Sequence, residues 1–324
     1  MPVATLALAQ AAKRVVEISA GLQSGEKVCI VTDTNLPSIA SAIAQACQAV
    51  GTDPVTCVMI PRKMHGNDPP EVIAAAMRAA DVVISPTTYA LTHTTARLEA
   101  TQAGTRIVVL REITEDTFVN GAMMADYLEI DQLSRHLAKD ISQGKRVRVR
   151  TSAGTDIQLD IEDRQAFWLG GLAREPGSLT SLPSGEAAIA PVEGTAQGTI
   201  VVDHAIDGIG LLDRPVTIVV KQGRAVSIEG GEAAARLRRI LSESDDNATN
   251  VAEFAIGTNP LSRMRGNIAE DKIMRGVVHI ALGDNHTIGG SVVSETHLDC
   301  VTLRPTVWID ERVIVSNGNL DLRS

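Results

Sequence analysis

Two textures divide this 324-residue chain, and together they predict an α/β Rossmann-like N-terminal domain followed by a β-rich α+β C-terminal domain. From residue 1 to 140, short continuous apolar runs alternate with helical patterns, the sign of a parallel sheet covered on both faces. From 141 to 324, strand-like alternation interrupted by Gly and Asp turns takes over, as in RVRVRTSAGTDIQLDIED. A third observation is chemical. Apolar segments of the second half carry histidines and carboxylates, which are costly to bury unless paired or bound to a metal, so this half is read as the metal-binding domain.

In the first domain Leu8, Ala11, Val15, Ile18 and Leu22 recur at helical spacing, giving an amphipathic opening helix with no basic segment of a signal peptide. KVCIVTD then reads as a buried strand, LPSIASAIAQACQAVG as a helix closed by Gly51, and PVTCVMI as a strand. PPEVIAAAMRAA, DVVISP, HTTARLEATQAG and RIVVL continue the alternation of helix and strand, the second of these helices closing at Gly104. The first strand runs into VTDTNLPS, without the G-x-G-x-x-G or P-loop glycines that cradle phosphates, so no nicotinamide or flavin is expected. Asp33, Thr34 and Asn35 are read as helix caps rather than ligands. In PRKMHGNDPP, Arg62, Lys63 and His65 form either a solvated loop or a contact for a substrate carboxylate, while His93 and Arg97 take a structural role at a helix start.

The boundary is expected within ADYLEIDQLSRHLAKDISQGKR. Beyond it the first hairpin turns at Ala153 and Gly154, and GTIVVD, PVTIVVKQGRAVSIEGG and TVWIDERVIVSNG read as further strands with turns at Gly223 and Asp310. One helix, GEAAARLRRILSES, interrupts them. REPGSLTSLPSGEAAIAP is rich in Pro, Gly and Ser and is read as a loop.

Composition excludes several classes. A net charge of −9 and no Lys/Arg stretch interleaved with aromatics argue against nucleic acid. No apolar run approaches the roughly 20 residues that span a bilayer, and a cytoplasmic location is expected. The 4 cysteines, Cys29, Cys47, Cys57 and Cys300, lack C-x-x-C spacing and are expected to be reduced thiols, neither disulfides nor zinc ligands.

The chemistry is concentrated between Glu253 and Cys300. His279 (VVHIALG) and His297 (THLDCV) lie in apolar runs, and His297 with Asp299 makes an H-x-D pair whose side chains share one face of a strand. Glu253 lies in AEFAIG, His286 in a GDNHTIGG turn, and Glu186 upstream in SLPSGEAAIAP, with Glu193 nearby as a candidate supporting group.

SLPSGEAAIAPVEGTAQGTIVVD, NVAEFAIGTNP, AEDK before GVVHIALGDN, and THLDCVTLRPTVWID follow, in order, the pattern of the aminopeptidase T family of thermophilic-type metallopeptidases, which the chain resembles from about Lys145 onward. That resemblance implies metal ligation by Glu186, Glu253, His279, His297 and Asp299, with His286 standing where the peptidases have Tyr. The chain is also similar to the 2,5-dihydroxypyridine 5,6-dioxygenases, ring-cleaving enzymes with one Fe(II). There the resemblance implies a His at the position of Glu253, beside the H-x-D pair. Retention of Glu253 favours the first pattern. The expectation is therefore a metallohydrolase of peptide or amide bonds, aminopeptidase-like, with two divalent ions (Zn, Co or Mn) and a small-molecule or short-peptide substrate. Glu253 is its bridging or base-proximal carboxylate, and His286 is either a ligand or an acid/base group. The alternatives are an Fe(II) ring-cleaving dioxygenase and a non-catalytic, metal-stabilised binding protein. A homodimer is expected.

Overall fold

The computed structural model describes residues 3–321. Two compact units are present: the chain up to Asp131 with Leu169–Ser184, and Gln132–Trp168 with the chain from Gly185 on. The chain thus passes between units more than once, where the sequence pattern expects a single cut after residue 140.

In the first unit five strands form a parallel sheet in the order Val55–Met59, Val28–Asp33, Val82–Pro86, Arg106–Leu110, Leu179–Leu182. Alternation sends Ile30, Ile84 and Val108 into one hydrophobic cluster with Val15, Ile39, Ile43 and Phe118, and Val31, Val83 and Ile107 into another with Ile73, Met77 and Leu91. Both faces are spent on packing, and each large side chain so buried contributes about 1.5–3 kcal/mol. The helix Pro37–Val50 ends at Gly51, whose φ of 92° lets its N–H turn back to the carbonyls of Cys47 and Gln48.

Three local expectations are corrected here. The opening segment is split into an α-helix, Val3–Arg14, and a π-helical turn, Val15–Ser19, closed by Ala20 N–H on the Val15 carbonyl. Asp33 is not a helix cap: the next helix begins at Pro37, too far along, and its N-cap Leu36 makes no side-chain bond. Its carboxylate instead accepts from Thr88 N–H at 2.6 Å, Thr88 Oγ1 at 3.1 Å and Asn35 N–H at 3.0 Å, fixing the loop beyond the neighbouring strand. Finally, LTSL within the Pro/Gly/Ser-rich stretch is a strand, because Arg106–Leu110 offers it a free edge to pair with in parallel.

The second unit carries two largely antiparallel sheets. One runs Arg224–Glu229, Val216–Lys221, Gln197–Val202, Asp156–Asp160, Arg146–Arg150, Thr306–Ile309, Arg312–Ser316, Asn319–Leu320. The other is seven-stranded, and its inner strands are Ala205–Ile206, His297–Thr302, Val278–Gly283, Val251–Gly257 and Glu186–Ile189. Val147, Val149, Ile157, Ile200 and Ile218 of the first sheet join Phe254, Ile256, Val278, Ile280, Leu282 and Cys300 of the second in one core, with Ala234, Leu237 and Leu241 of the helix Gly231–Glu243. Among the described residues no helix is long and apolar enough to cross a membrane.

Candidate metal centre

The seven-stranded sheet is two-sided. Phe254, Ile256, Ile280, Leu282, Leu298 and Cys300 point into the core. The residues between them, Glu253, His279, His297 and Asp299, point the other way, because strand side chains alternate. Register places them in rows: Glu253 opposite Ala281 and Ala281 opposite Asp299; His279 opposite Ala255; His297 opposite Gly283; Glu186 opposite Gly257. Alanine and glycine thus separate the ionisable residues, and backbone packs tightly over the glycines: an added Cβ would clash with the Met274 carbonyl oxygen at Gly257 and with the Thr296 carbonyl oxygen at Gly283. Entry into the Glu186 strand depends on Gly185, at φ 138°, where a Cβ would press to 2.8 Å from the Asn259 side chain.

These side chains converge. Glu253 Oε2 is 3.1 Å and Asp299 Oδ1 3.4 Å from His297 Nε2. His279 Nε2 is 3.4 Å from Glu253 Oε1, 3.7 Å from Glu186 Oε2 and 3.9 Å from Asp299 Oδ1. Glu253, His297 and Asp299 each offer one ligand atom, all within 4.8 Å of one another. All are buried except His297, whose side chain is 33% exposed.

Among the described residues, three buried atoms here, Glu186 Oε2, His279 Nε2 and Asp299 Oδ1, have no hydrogen-bond partner. Each such atom costs about 1–3 kcal/mol; Glu186 Oε2 faces the Lys272 ammonium at 3.4 Å, and the other two mark a missing shared partner. The imidazoles give its sign. His279 Nδ1 lies 3.3 Å from the Lys272 carbonyl and His297 Nδ1 2.8 Å from the Asp284 carbonyl, so each Nδ1–H donates to backbone. In the neutral ring Nε2 then carries a lone pair aimed at carboxylates, an arrangement that favours a cation between them. Imidazole and carboxylate donors together suit a divalent transition-metal ion.

Electrostatics of the bare cluster agree. Burial acts to raise the Glu253 carboxyl, but the neighbouring His279 and His297 imidazoles outweigh it and hold the group below the usual carboxylate range. Burial likewise opposes ionisation of Asp299, yet Lys272 and His279 beside it hold it well below that range. Burial disfavours the His297 cation, and bonds to Asp299 and Glu253 overcome this, raising it well above the ordinary imidazole value. Charge that cannot leave is balanced within the cluster.

Of the residues singled out in the sequence, Glu186, Glu253, His279, His297 and Asp299 are brought together. His286 is not one of the converging side chains: it sits on a short 3-10 turn, 51% exposed, with Nδ1 2.6 Å from Oδ2 of Asp284, the residue whose carbonyl meets His297 Nδ1. Glu193 accepts from Arg164, from Asn285 Nδ2 at 3.1 Å and from Ser291 N–H at 2.8 Å, securing the turn that carries His286. Sequence reasoning missed Lys272, whose Nζ lies 3.1 Å from Asp299 Oδ2 and 3.4 Å from Glu186 Oε2. It also missed Asp271, wholly buried and 2.6 Å from His204 Nε2. The acidic AEDK segment was the available signal, since charged residues so close to an apolar strand need partners.

A mixed α/β enzyme fold with a buried cluster of metal-type donors is thereby defined. A family profile described as 2,5-dihydroxypyridine 5,6-dioxygenase matches residues 7–321, and the chain belongs to that family. It is 26% identical over 266 residues to a 2,5-dihydroxypyridine 5,6-dioxygenase of Pseudomonas putida, covering 76% of this chain and 72% of the relative. A solved structure of 2,5-dihydroxypyridine dioxygenase from Pseudomonas putida KT2440 superposes with a TM-score of 0.86 at 22% identity, over 100% of this chain and 99% of that one. Wild-type AmpT from Thermus thermophilus superposes with a TM-score of 0.71 at 14% identity, over 98% and 99%.

These findings correct the functional expectation. The likeness to AmpT is one of fold, and the hydrolase, aminopeptidase and metalloprotease readings are overturned by membership in the dioxygenase family. The difference has a physical origin: strands carrying Glu253, His279 and the H-x-D pair build a carboxylate–imidazole cluster on a fold similar to that of AmpT.

Proposed function

We propose that the protein is a mononuclear Fe(II) dioxygenase that cleaves the ring of a hydroxylated heteroaromatic of the 2,5-dihydroxypyridine type. The family match across residues 7–321 carries this reading, and the atoms His279 Nε2 and Asp299 Oδ1, buried without hydrogen-bond partners, supply its chemical counterpart. Glu253, His297 and Asp299 would hold the ion, with His279 and Glu186 beside them. Iron(II) bound there would supply the redox chemistry that lets dioxygen enter across a ring bond.

The chain's own contribution is orientation and charge. The Lys272 and Asp284 carbonyls fix the tautomers of His279 and His297 and hold both Nε2 atoms toward the carboxylates. Burial of Glu253 and Asp299 excludes water and strengthens every interaction in the cluster. His286 is assigned the acid/base role: Asp284 Oδ2 holds its Nδ1, leaving Nε2 to exchange a proton with a ring hydroxyl. The expected partners are a small aromatic substrate and a second copy of the chain.

Protein purified without chelator and reloaded anaerobically with Fe(II) tests the reading. With 2,5-dihydroxypyridine it should consume dioxygen in equal amount to substrate while ring absorbance is lost. Absence of oxygen uptake from fully iron-loaded protein with this substrate and its hydroxypyridine analogues would refute it.

A further inference from the structure

Among the described residues, Lys272 is the one cation of the cluster that is neither a ligand candidate nor an accident of the surface. It is 8% exposed and follows the short helix Ile268–Asp271. Buried contacts lock that helix. Asn267 Oδ1 caps it through Ala269 N–H at 3.1 Å, and Glu270 binds Arg263 N–H at 3.0 Å. Asp271 accepts from Arg265 N–H at 3.0 Å and Gly266 N–H at 2.7 Å and meets His204 at 2.6 Å. The ammonium is therefore delivered to a fixed place, 3.1 Å from Asp299 Oδ2 and 3.4 Å from Glu186 Oε2.

That place matters for charge. Glu186, Glu253 and Asp299 carry three negative charges, and the ammonium cancels one. The two left are matched by one divalent ion with both imidazoles neutral; a second divalent ion would leave an excess of positive charge in a buried site. Geometry leads to the same count. A two-ion centre needs a carboxylate shared between ions about 3.5–4 Å apart. Asp299 presents Oδ1 to His297 at 3.4 Å and turns its other oxygen to Lys272. Glu186, the donor a second ion would recruit, faces the same ammonium.

We infer that Lys272 stands in for a second metal ion: its ammonium occupies the position between the Oδ2 atom of Asp299 and the Oε2 atom of Glu186 and limits the centre to one divalent cation. This rests on the mononuclear reading above and extends it from the number of ions to the residue that sets that number. Lys272 is a positioning residue, acting on the ion through Asp299, and its removal should alter stoichiometry, which a purely structural role would not.

The experiment uses metal-free full-length protein titrated with Mn(II), with free Mn(II) followed by its paramagnetic resonance and bound metal counted by elemental analysis. The unaltered protein should saturate at about one equivalent, and Lys272→Met at about two, with the spin-coupled signature of a close ion pair. Lys272→Arg, which keeps the charge, should stay near one. Saturation of the unaltered protein at two equivalents, or of folded Lys272→Met at one with unchanged affinity, would overturn the inference while leaving the metal centre intact. No binding by the unaltered protein would overturn both. If Lys272→Met does not fold, Lys272→Gln and the count on the unaltered protein decide the matter.

Discussion

The parallel sheet of the first unit and the seven-stranded sheet of the second are both built from buried, apolar strands, yet they spend their faces differently. In the parallel sheet alternate residues of Val28–Asp33, Val82–Pro86 and Arg106–Leu110 enter two separate hydrophobic clusters, so both faces stabilise and neither is open to chemistry. In the antiparallel sheet one face is core and the other alternates ionisable residues with alanine and glycine. A strand can be equally buried on both sides and still have one side reserved for function. Ionisable residues at period two, spaced by small ones, distinguish the cases.

The largest effects should follow from substitutions that separate the two faces of the antiparallel sheet. Asp299→Ala and His297→Ala remove donors and should weaken metal binding by more than about 100-fold, beyond what loss of a mere supporting contact costs, with activity lost in proportion and the fold kept. Phe254→Ala, on the opposite face of the Glu253 strand, should cost about 3–5 kcal/mol of stability through its cavity. Ile84→Ala in the parallel sheet should destabilise by about 2–5 kcal/mol while the folded fraction retains its metal. Equilibrium unfolding with metal counting on each variant checks this; a donor variant that keeps its metal, or an Ile84→Ala protein that stays folded but loses it, would break the comparison.

His286→Ala addresses a residue on a turn rather than on either face of the sheet. Turnover should fall by about 10²–10⁴-fold, the range of general acid–base work, with metal content unchanged. Steady-state kinetics on metal-matched samples decide, and undiminished turnover would remove His286 from the mechanism.

Much of this was legible in advance. The element types of the first unit follow from apolar runs alternating with amphipathic ones, and Gly51 marks a helix end because only a left-handed residue fits there. The H-x-D pair shares a face because period two requires it. Other features were not legible because they depend on distant partners. LTSL is four residues long and becomes a strand only beside Arg106–Leu110. Asp33 looks like a cap until Thr88, far along the chain, claims it. Lys272 gains meaning only where Asp299 and Glu186 meet it.

A smaller effect concerns pH. His297 is raised in the bare cluster, so its contribution to folding is full below the ordinary imidazole pKa of about 6.5 and is lost as pH climbs through the raised value. Glu253 and Asp299 are depressed, so their contributions are present above about pH 4 and are lost only on acidification through the lowered values. Metal-free protein should therefore lose stability progressively above about pH 6.5, while metal affinity rises over the same interval because the ion displaces the His297 proton. Thermal unfolding from pH 5 to 9, with and without Mn(II), reads both slopes; two flat profiles would show that His297 is not ion-paired.

Smaller still, Asp33→Ala should cost about 1–3 kcal/mol through unpaired Thr88 donors and leave metal stoichiometry untouched, confining its effect to the unit that spends both faces on packing. A chemical-denaturation midpoint unchanged from that of the unaltered protein would show that Asp33 contributes nothing there. The open edge strand Val55–Met59, which exposes Val55 and Val58, is the feature of that unit most suited to self-association; light scattering should give a dimer mass, and a monomer at micromolar concentration would contradict it.

The central claim is that the polar face of the antiparallel sheet holds a single ion between Glu253, His297 and Asp299. Anomalous diffraction from crystals of iron-loaded protein, recorded on both sides of the iron edge, tests it most directly. One peak within bonding distance of those three side chains is the predicted result. A peak elsewhere, or none from protein shown to contain iron, would contradict the account.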